Sequence, residues 1–192
     1  MQFTEILIPI IPTKRFLIPQ EETTIVIKNE KLFDAIEEQY TLNNQLGLPF
    51  WFHGKFNVFG CSVLITRFYR NDKKGFVRLS VKGNKLFRIS EYHKSLDNIG
   101  SPVAKIQFLS YMDQPPKSEK LARLFEKYSN AVMFLPDINV SLENMFQQLD
   151  LSPELAFSVI SQPDTTCREN LLYNILKFRH QVAKQQKHIG LS

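Results

Sequence analysis

The sequence lacks the short motifs that organise most catalytic sites. It contains no Gly-x-x-x-x-Gly-Lys-[Ser/Thr] phosphate loop, no Gly-x-Ser-x-Gly nucleophile turn, no His-Glu-x-x-His helix and no calcium-binding loop. The acidic pairs Glu21-Glu22 and Glu37-Glu38 are adjacent in sequence, so their side chains diverge on a strand or a helix and do not form an acid–base pair. The sequence therefore predicts a protein without catalytic residues, not an enzyme.

Cysteine and long apolar runs are also scarce. Cys61 and Cys167 are the only cysteines, and with no visible signal peptide they predict buried thiols in a reducing cytoplasm. His53 and Cys61 could meet across a turn, but two ligands fall short of the four in a structural zinc site, so no metal or other cofactor is predicted. No apolar run reaches the roughly 18–20 residues that cross a membrane, so no membrane partner is predicted.

Positive charge and phenylalanine are plentiful. The formal net charge is +5 and the pI is about 9.2, which mildly favours acidic partners such as nucleic acid. Phenylalanine occurs 16 times against a single tryptophan. Because its ring has no polar group to satisfy, an aromatic-rich core is the expected use, with a surface set of binding rings as the alternative.

Alternating apolar residues predict strands through the first half of the chain, and one short helix after Asn29. Glycine and polar residues predict turns at 54–60, 71–75 and 82–84. Pro115-Pro116 cannot continue a ladder, so the sequence predicts a boundary there between a β-rich part, residues 1–112, and a helical part, residues 113–192.

Capping residues predict the helix starts in the second half. They are Ser118, Ser141, Ser152 and Asp164. The apolar stripe of the last predicted helix places five side chains towards its core. They are Leu171, Leu172, Ile175, Phe178 and Val182.

Three segments, in order, resemble the N-terminal domain of the Lon ATP-dependent proteases. Leu7-Ile-Pro9-Ile-Ile-Pro12 is similar to the family's Leu-Pro-Leu-Phe-Pro start. The segment from Phe59-Gly60 to Thr66 is similar to the family's Val-Gly-Thr-x-Ala/Val-x-Ile segment. The segment from Gly75 to Ile89 is similar to its Gly-x-x-x-Val-x-Gly-x-x-Arg-Phe-x-Ile segment. The resemblance spans nearly the whole chain. It implies an α+β fold: a PUA-like β pseudo-barrel of about six strands, followed by a C-terminal helical bundle.

The resemblance also implies a role. Lon N-terminal domains bind unfolded or adaptor-presented protein substrates for an attached ATPase and Ser/Lys peptidase, and neither of those modules fits in the remaining residues. The expectation is a stand-alone, non-catalytic recognition domain of the peptidase S16 Lon type, with a separate ATP-dependent protease as a further partner. The family's Phe-Gly is replaced here by Pro49-Phe50-Trp51-Phe52, so the bound partner can differ.

Two segments carry the candidate binding residues, and the oligomeric state is left open. Phe50, Trp51 and Phe52 are the candidates for binding an extended apolar peptide, the alternative being a core tryptophan. The second set interleaves cations and rings and predicts RNA binding, the alternative being a hairpin that is basic for solubility. It comprises Arg67, Tyr69, Arg70, Lys73, Lys74 and Arg78.

Overall fold

The computed structural model describes residues 5–11, 17–42, 45–52, 55–93, 102–132 and 141–189. The chain divides into two compact units, Met1–Leu109 and Ser110–Ser192, here called the β unit and the helical unit. The division falls just before the 3-10 turn Ser110–Asp113, whereas the sequence placed the boundary after residue 112. None of the helices in the described ranges is both long and apolar enough to cross a membrane.

The β unit is a six-stranded antiparallel sheet with one α-helix, counted over the described residues. The strands are β1 Ile6–Pro9, β2 Glu22–Ile27, β3 Gln45–Phe52, β4 Lys55–Asn71, β5 Phe76–His93 and β6 Val103–Phe108, and the helix is α1 Phe33–Thr41. The strand order is β1-β6-β5-β4-β3, and β2 pairs with β5 off this path. Ile10 then bridges Gly47 of β3, which joins the two ends of the sheet. This confirms the predicted fold.

Strands β4 and β5 are longer than the sequence suggested, and two predicted turns are wrong. Residues 55–60 belong to β4, and residues 82–84 lie inside β5. Gly83 sits where the segment leading into β2 crosses β5: it donates to the Glu21 carbonyl at 2.8 Å and accepts from the Gln20 N–H at 2.9 Å. A Cβ at Gly83 would overlap the Ile18 carbonyl. This glycine therefore marks a close approach of two backbone segments and not a chain reversal.

One core cluster of the β unit lies where β1, β5 and β6 meet. Its buried members are Ile8, Ile10, Phe87, Ala104 and Ile106, with Ile6, Ile89 and Phe108 packed against them. Phe50, at 1% exposure, is also buried in this unit. The prediction that the phenylalanines build the core is therefore only partly correct. Other phenylalanines reach solvent, among them Phe56, which is 48% exposed.

The helical unit contains four α-helices in its described residues. They are α2 Glu119–Val132, α3 Leu142–Leu149, α4 Pro153–Ile160 and α5 Thr165–Ile189. The four predicted caps are confirmed. Each side-chain oxygen accepts a backbone N–H three residues on: Ser118 from Leu121, Ser141 from Asn144, Ser152 from Leu155, and Asp164 from Cys167.

Two expectations for α5 are wrong. Phe178 is 67% exposed, and the fully buried apolar residues of this helix, among those whose exposure the structure describes, are Leu172 and Leu176. Phe178 comes only two residues after Leu176, so it points to the other side of the helix.

Cys167 is exposed and Cys61 is buried, so only one of the two thiols is a core residue.

Two buried charged side chains hold the start of the helical unit against α5. The Glu169 carboxylate is 4% exposed and accepts the backbone N–H groups of Lys117 and Ser118, both at 2.8 Å. The Arg168 guanidinium lies 3.7 Å from the centroid of the Tyr111 ring. Burial raises the pKa of the Tyr111 hydroxyl, and the charge of Arg168 opposes that rise. These contacts fix the segment that precedes α2.

Candidate binding surfaces

Strands β4 and β5 pair over only part of their length. Their register runs from Asn71–Phe76, beside the hairpin turn, to Phe59–Arg88. Beyond that pair, β4 continues against β3, whereas β5 continues against β6. The two strands therefore fork, and the fork and the turn lie at opposite ends of the same pair of strands.

An apolar groove of about 250 Å³ lies at the fork. It is lined by Ile10, Pro49, Phe56, Asn57, Val58, Ile89 and Tyr92. Phe56, Val58 and Tyr92 are 48%, 47% and 47% exposed. Ile10 belongs to the core cluster described above and Ile89 packs on it, so the groove opens directly onto the core.

The groove is small and almost free of polar groups. The Asn57 amide and the Tyr92 hydroxyl are its polar side-chain groups, and the Asn57 oxygen already accepts the Phe59 N–H at 3.4 Å. Its volume is below the roughly 300–1,000 Å³ typical of small-molecule pockets. A groove of this size and lining fits one or two apolar side chains and not a large polar ligand.

The three predicted peptide-binding residues have different positions. Phe50 is buried at 1% exposure, so it supports the sheet from inside and presents no surface to a partner. Trp51 is half-buried, and its ring meets the Phe56 ring edge-on, with the centroids 4.6 Å apart. The Phe52 side chain lies outside the described residues. Trp51 therefore braces a groove residue.

Sequence reasoning missed Phe56, Val58 and Tyr92. The signal was present, because Phe56 and Val58 alternate as a strand requires and share one face. It was obscured by treating residues 54–60 as a turn, on the strength of the glycines at either end.

The predicted RNA-binding residues lie on the β4–β5 hairpin, at the other end of the strand pair. Tyr69 lies opposite Arg78, and Arg78 lies opposite Val26 of β2. Arg67 lies opposite Ser80 in the adjoining row. We call the outward side chains of Arg67, Tyr69, Phe76, Arg78 and Val26 the cationic face. Tyr69 and Val26 are 52% and 50% exposed, and both arginines are exposed.

Arg70 is separated from this set by its ion pairs. Its guanidinium contacts the carboxylates of Asp34 at 2.7 Å, Glu37 at 2.9 Å and Asp72 at 2.7 Å. These carboxylates, Asp72 foremost, raise the pKa of Arg70 further above its usual value. Arg70 thus links the hairpin to α1, and its charge is already paired with these carboxylates. Lys73 and Lys74 lie exposed in the 3-10 turn Asp72–Lys74 at the hairpin tip.

Metal binding and thiol reactivity were the other chemistry that the sequence raised. They contain no group of three or more histidine, cysteine or acidic side chains placed to hold a metal ion. The hydrogen bond with Asp164 and partial desolvation raise the pKa of the exposed Cys167 thiol, which lowers its thiolate fraction and its reactivity. His53 lies outside the described residues.

The fold is that of Lon N-terminal domains. A crystal structure of a Lon N-terminal domain protein from Xanthomonas campestris matches with a TM-score of 0.59 and 20% identity, over 87% of this chain and 96% of that one. The N-terminal domain of the Mycobacterium avium complex Lon protease matches with a TM-score of 0.58 and 11% identity, over 89% of this chain and 98% of that one. No protein-family model and no curated protein matches the chain. At these identities the likeness establishes the fold.

Proposed function

We propose that this protein is a non-catalytic protein-binding module that holds extended, apolar segments of unfolded polypeptide in the apolar groove. The observation that carries the proposal is the exposure of Phe56, Val58 and Tyr92 around a groove whose floor is the core of the β unit. Apolar side chains that line a concave surface are favourably covered by a partner's apolar side chains.

The fork suits an extended chain in particular. Past Phe59–Arg88 the strands β4 and β5 no longer pair with each other, and we propose that a segment in strand conformation lies along this end of the strand pair. Every second side chain of that segment would point into the groove. Fully burying one Leu- or Phe-sized side chain contributes about 1.5–3 kcal/mol. One or two such anchors give a weak contact, which suits the transient capture of many different unfolded sequences.

The fold likeness supports the same proposal, because the matching structures are N-terminal domains of Lon proteins. The finer parts are proposals too: substrates reach the groove as unfolded or adaptor-presented protein in the cytoplasm, and a separate ATP-dependent protease is the partner that degrades them. The chain itself is proposed to have no proteolytic activity.

Two valines give a matched test. Val58 in the groove and Val26 on the cationic face are both strand residues about half exposed, at 47% and 50%. Binding of a labelled, permanently unfolded polypeptide is followed by fluorescence anisotropy. Val58→Glu places a charge among apolar contacts and is expected to weaken binding at least about tenfold, or roughly 1.4 kcal/mol. Val26→Glu is expected to leave binding unchanged.

Thermal unfolding of both variants shows whether either change simply destabilises the fold. Equal polypeptide affinities for the two folded variants would contradict the groove as the binding site.

A further inference from the structure

The cationic face combines rings and cations on one side of the sheet. The Tyr69 and Phe76 ring centroids are 6.1 Å apart at an angle of 47°. The Arg78 guanidinium carbon lies 5.8 Å from the centroid of the Phe76 ring. Three adjacent strands, β2, β5 and β4, carry this face, so its side chains lie in neighbouring rows.

The charge of this face is uncompensated over its described residues. The row Val26–Arg78–Tyr69 and the adjoining row Thr24–Ser80–Arg67 contain no acidic residue. The ion pairs found among the described residues include neither Arg67 nor Arg78. Arg70, only one residue along the strand from Tyr69, shows the contrasting case, since three carboxylates surround it.

The combination of aromatic rings and cations on this face favours one kind of partner. Phosphates are held by exposed arginines and lysines, and unstacked bases lie on aromatic rings presented by a sheet. An acidic peptide would use the cations and leave the rings unused. A duplex hides the faces of its bases, so it could not stack on Tyr69. Single-stranded RNA uses the rings and the cations of this face together.

We propose that the cationic face binds single-stranded RNA, with Tyr69 and Phe76 stacking bases and with Arg67 and Arg78 holding phosphates. Lys73 and Lys74 at the tip of the same hairpin extend the phosphate contacts. The groove plays no part in this interaction, so the proposal stands or falls independently of polypeptide binding.

The phosphate contacts set the expected salt dependence. For single strands, log K falls with log salt at a slope of about −0.7 per phosphate contact, so four cations give a slope of about −3. Affinity should then fall by roughly 50-fold between about 50 and 200 mM salt. Removing Arg67 and Arg78 should reduce the steepness of the slope by about 1.4.

The test measures anisotropy of labelled oligouridine across that salt range. The double variant Arg67→Gln/Arg78→Gln should bind weakly with a flatter slope, whereas Arg88→Gln, an exposed arginine at the fork end of β5, should behave as the parent protein. Tyr69→Ala should weaken binding by roughly 5- to 100-fold at an unchanged slope, because it removes stacking and no charge.

Three results would overturn the proposal. The first is an unchanged slope in the double variant, and the second is an equal loss in Arg88→Gln. The third is displacement of oligouridine by polyglutamate at matched charge, which would make the face a general anion binder. Thermal unfolding of each variant identifies any loss that is due to misfolding.

Discussion

The apolar groove and the cationic face use the same two strands and have opposite chemistry. Around Tyr69–Arg78 the strands β4 and β5 are paired and joined by β2, so apolar side chains such as Val77 and Leu79 are buried and polar ones point outwards. Past Phe59–Arg88 the two strands separate, and the apolar side chains of Phe56 and Val58 on β4 and of Tyr92 on β5 reach solvent. The two ends of one strand pair therefore present different side chains, arginines with rings at one end and apolar residues at the other.

Two arginines close together on the hairpin, Arg70 and Arg78, also differ in their contacts. Arg70 and Arg78 both lie near the hairpin turn, but Arg70 is held by Asp34, Glu37 and Asp72, whereas Arg78 lies over the Phe76 ring. One is a structural tie to α1 and the other is exposed to a partner. A count of basic residues in the segment cannot separate the two roles.

The largest effect is expected from a change that removes both surfaces together. Gly60 pairs with Phe87, next to the Phe59–Arg88 pair at the fork. A Cβ on Gly60 would lie 2.5 Å from the Phe87 ring and 2.6 Å from the Leu48 carbonyl oxygen. Gly60→Val should destabilise the protein by about 2–3 kcal/mol, because it forces bulk into a filled core. Chemical denaturation measures the loss, and binding of polypeptide and of oligouridine should fall in parallel.

Gly75→Asn is the matched control for that change. Gly75 has a φ of 60° at the hairpin turn, and asparagine tolerates the left-handed region better than other side chains do. Its stability should stay close to that of the parent protein. A Gly60→Val protein that unfolds at the parent's denaturant concentration would show that β4 and β5 can part at this position without cost.

A smaller effect, confined to stability, is expected from the helical unit. Glu169→Gln removes a buried carboxylate that accepts two backbone N–H groups, and should destabilise the protein by about 1–3 kcal/mol. Both binding activities should persist in the folded variant, because both surfaces lie in the β unit. Glu154→Gln, an exposed residue in the first turn of α4, is the control. Loss of either binding activity in folded Glu169→Gln would contradict this separation.

Among the features predicted from residue patterns alone, the helix caps were correct because they are local. Ser141, Ser152 and Asp164 could be identified as caps because each side chain bonds a backbone N–H only three residues away. Gly83 was misread because the segment that crosses it, Ile18 to Glu21, is more than 60 residues distant in the chain. No neighbouring residue reveals that approach.

The candidate sites show the same limit. Tyr69 and Arg78 could be grouped as candidates because both are close to one predicted hairpin. The groove draws its lining from β3, β4 and β5 and from Ile10, the residue after β1, so only the folded sheet brings Ile10 and Tyr92 together. The burial of Phe50 likewise depends on which face of β3 turns inwards, and the irregular register between Pro49 and Trp51 disturbs simple alternation there.

The most direct test that the groove and the cationic face are separate sites replaces one tyrosine in each with alanine. Tyr92 in the groove and Tyr69 on the cationic face are strand residues of similar exposure, at 47% and 52%. Each alanine variant is titrated against unfolded polypeptide and against oligouridine by anisotropy. We expect a crossed result: Tyr92→Ala weakens polypeptide binding alone, and Tyr69→Ala weakens oligouridine binding alone. If either folded variant lost both ligands equally, the two surfaces would be one site and the account would be contradicted.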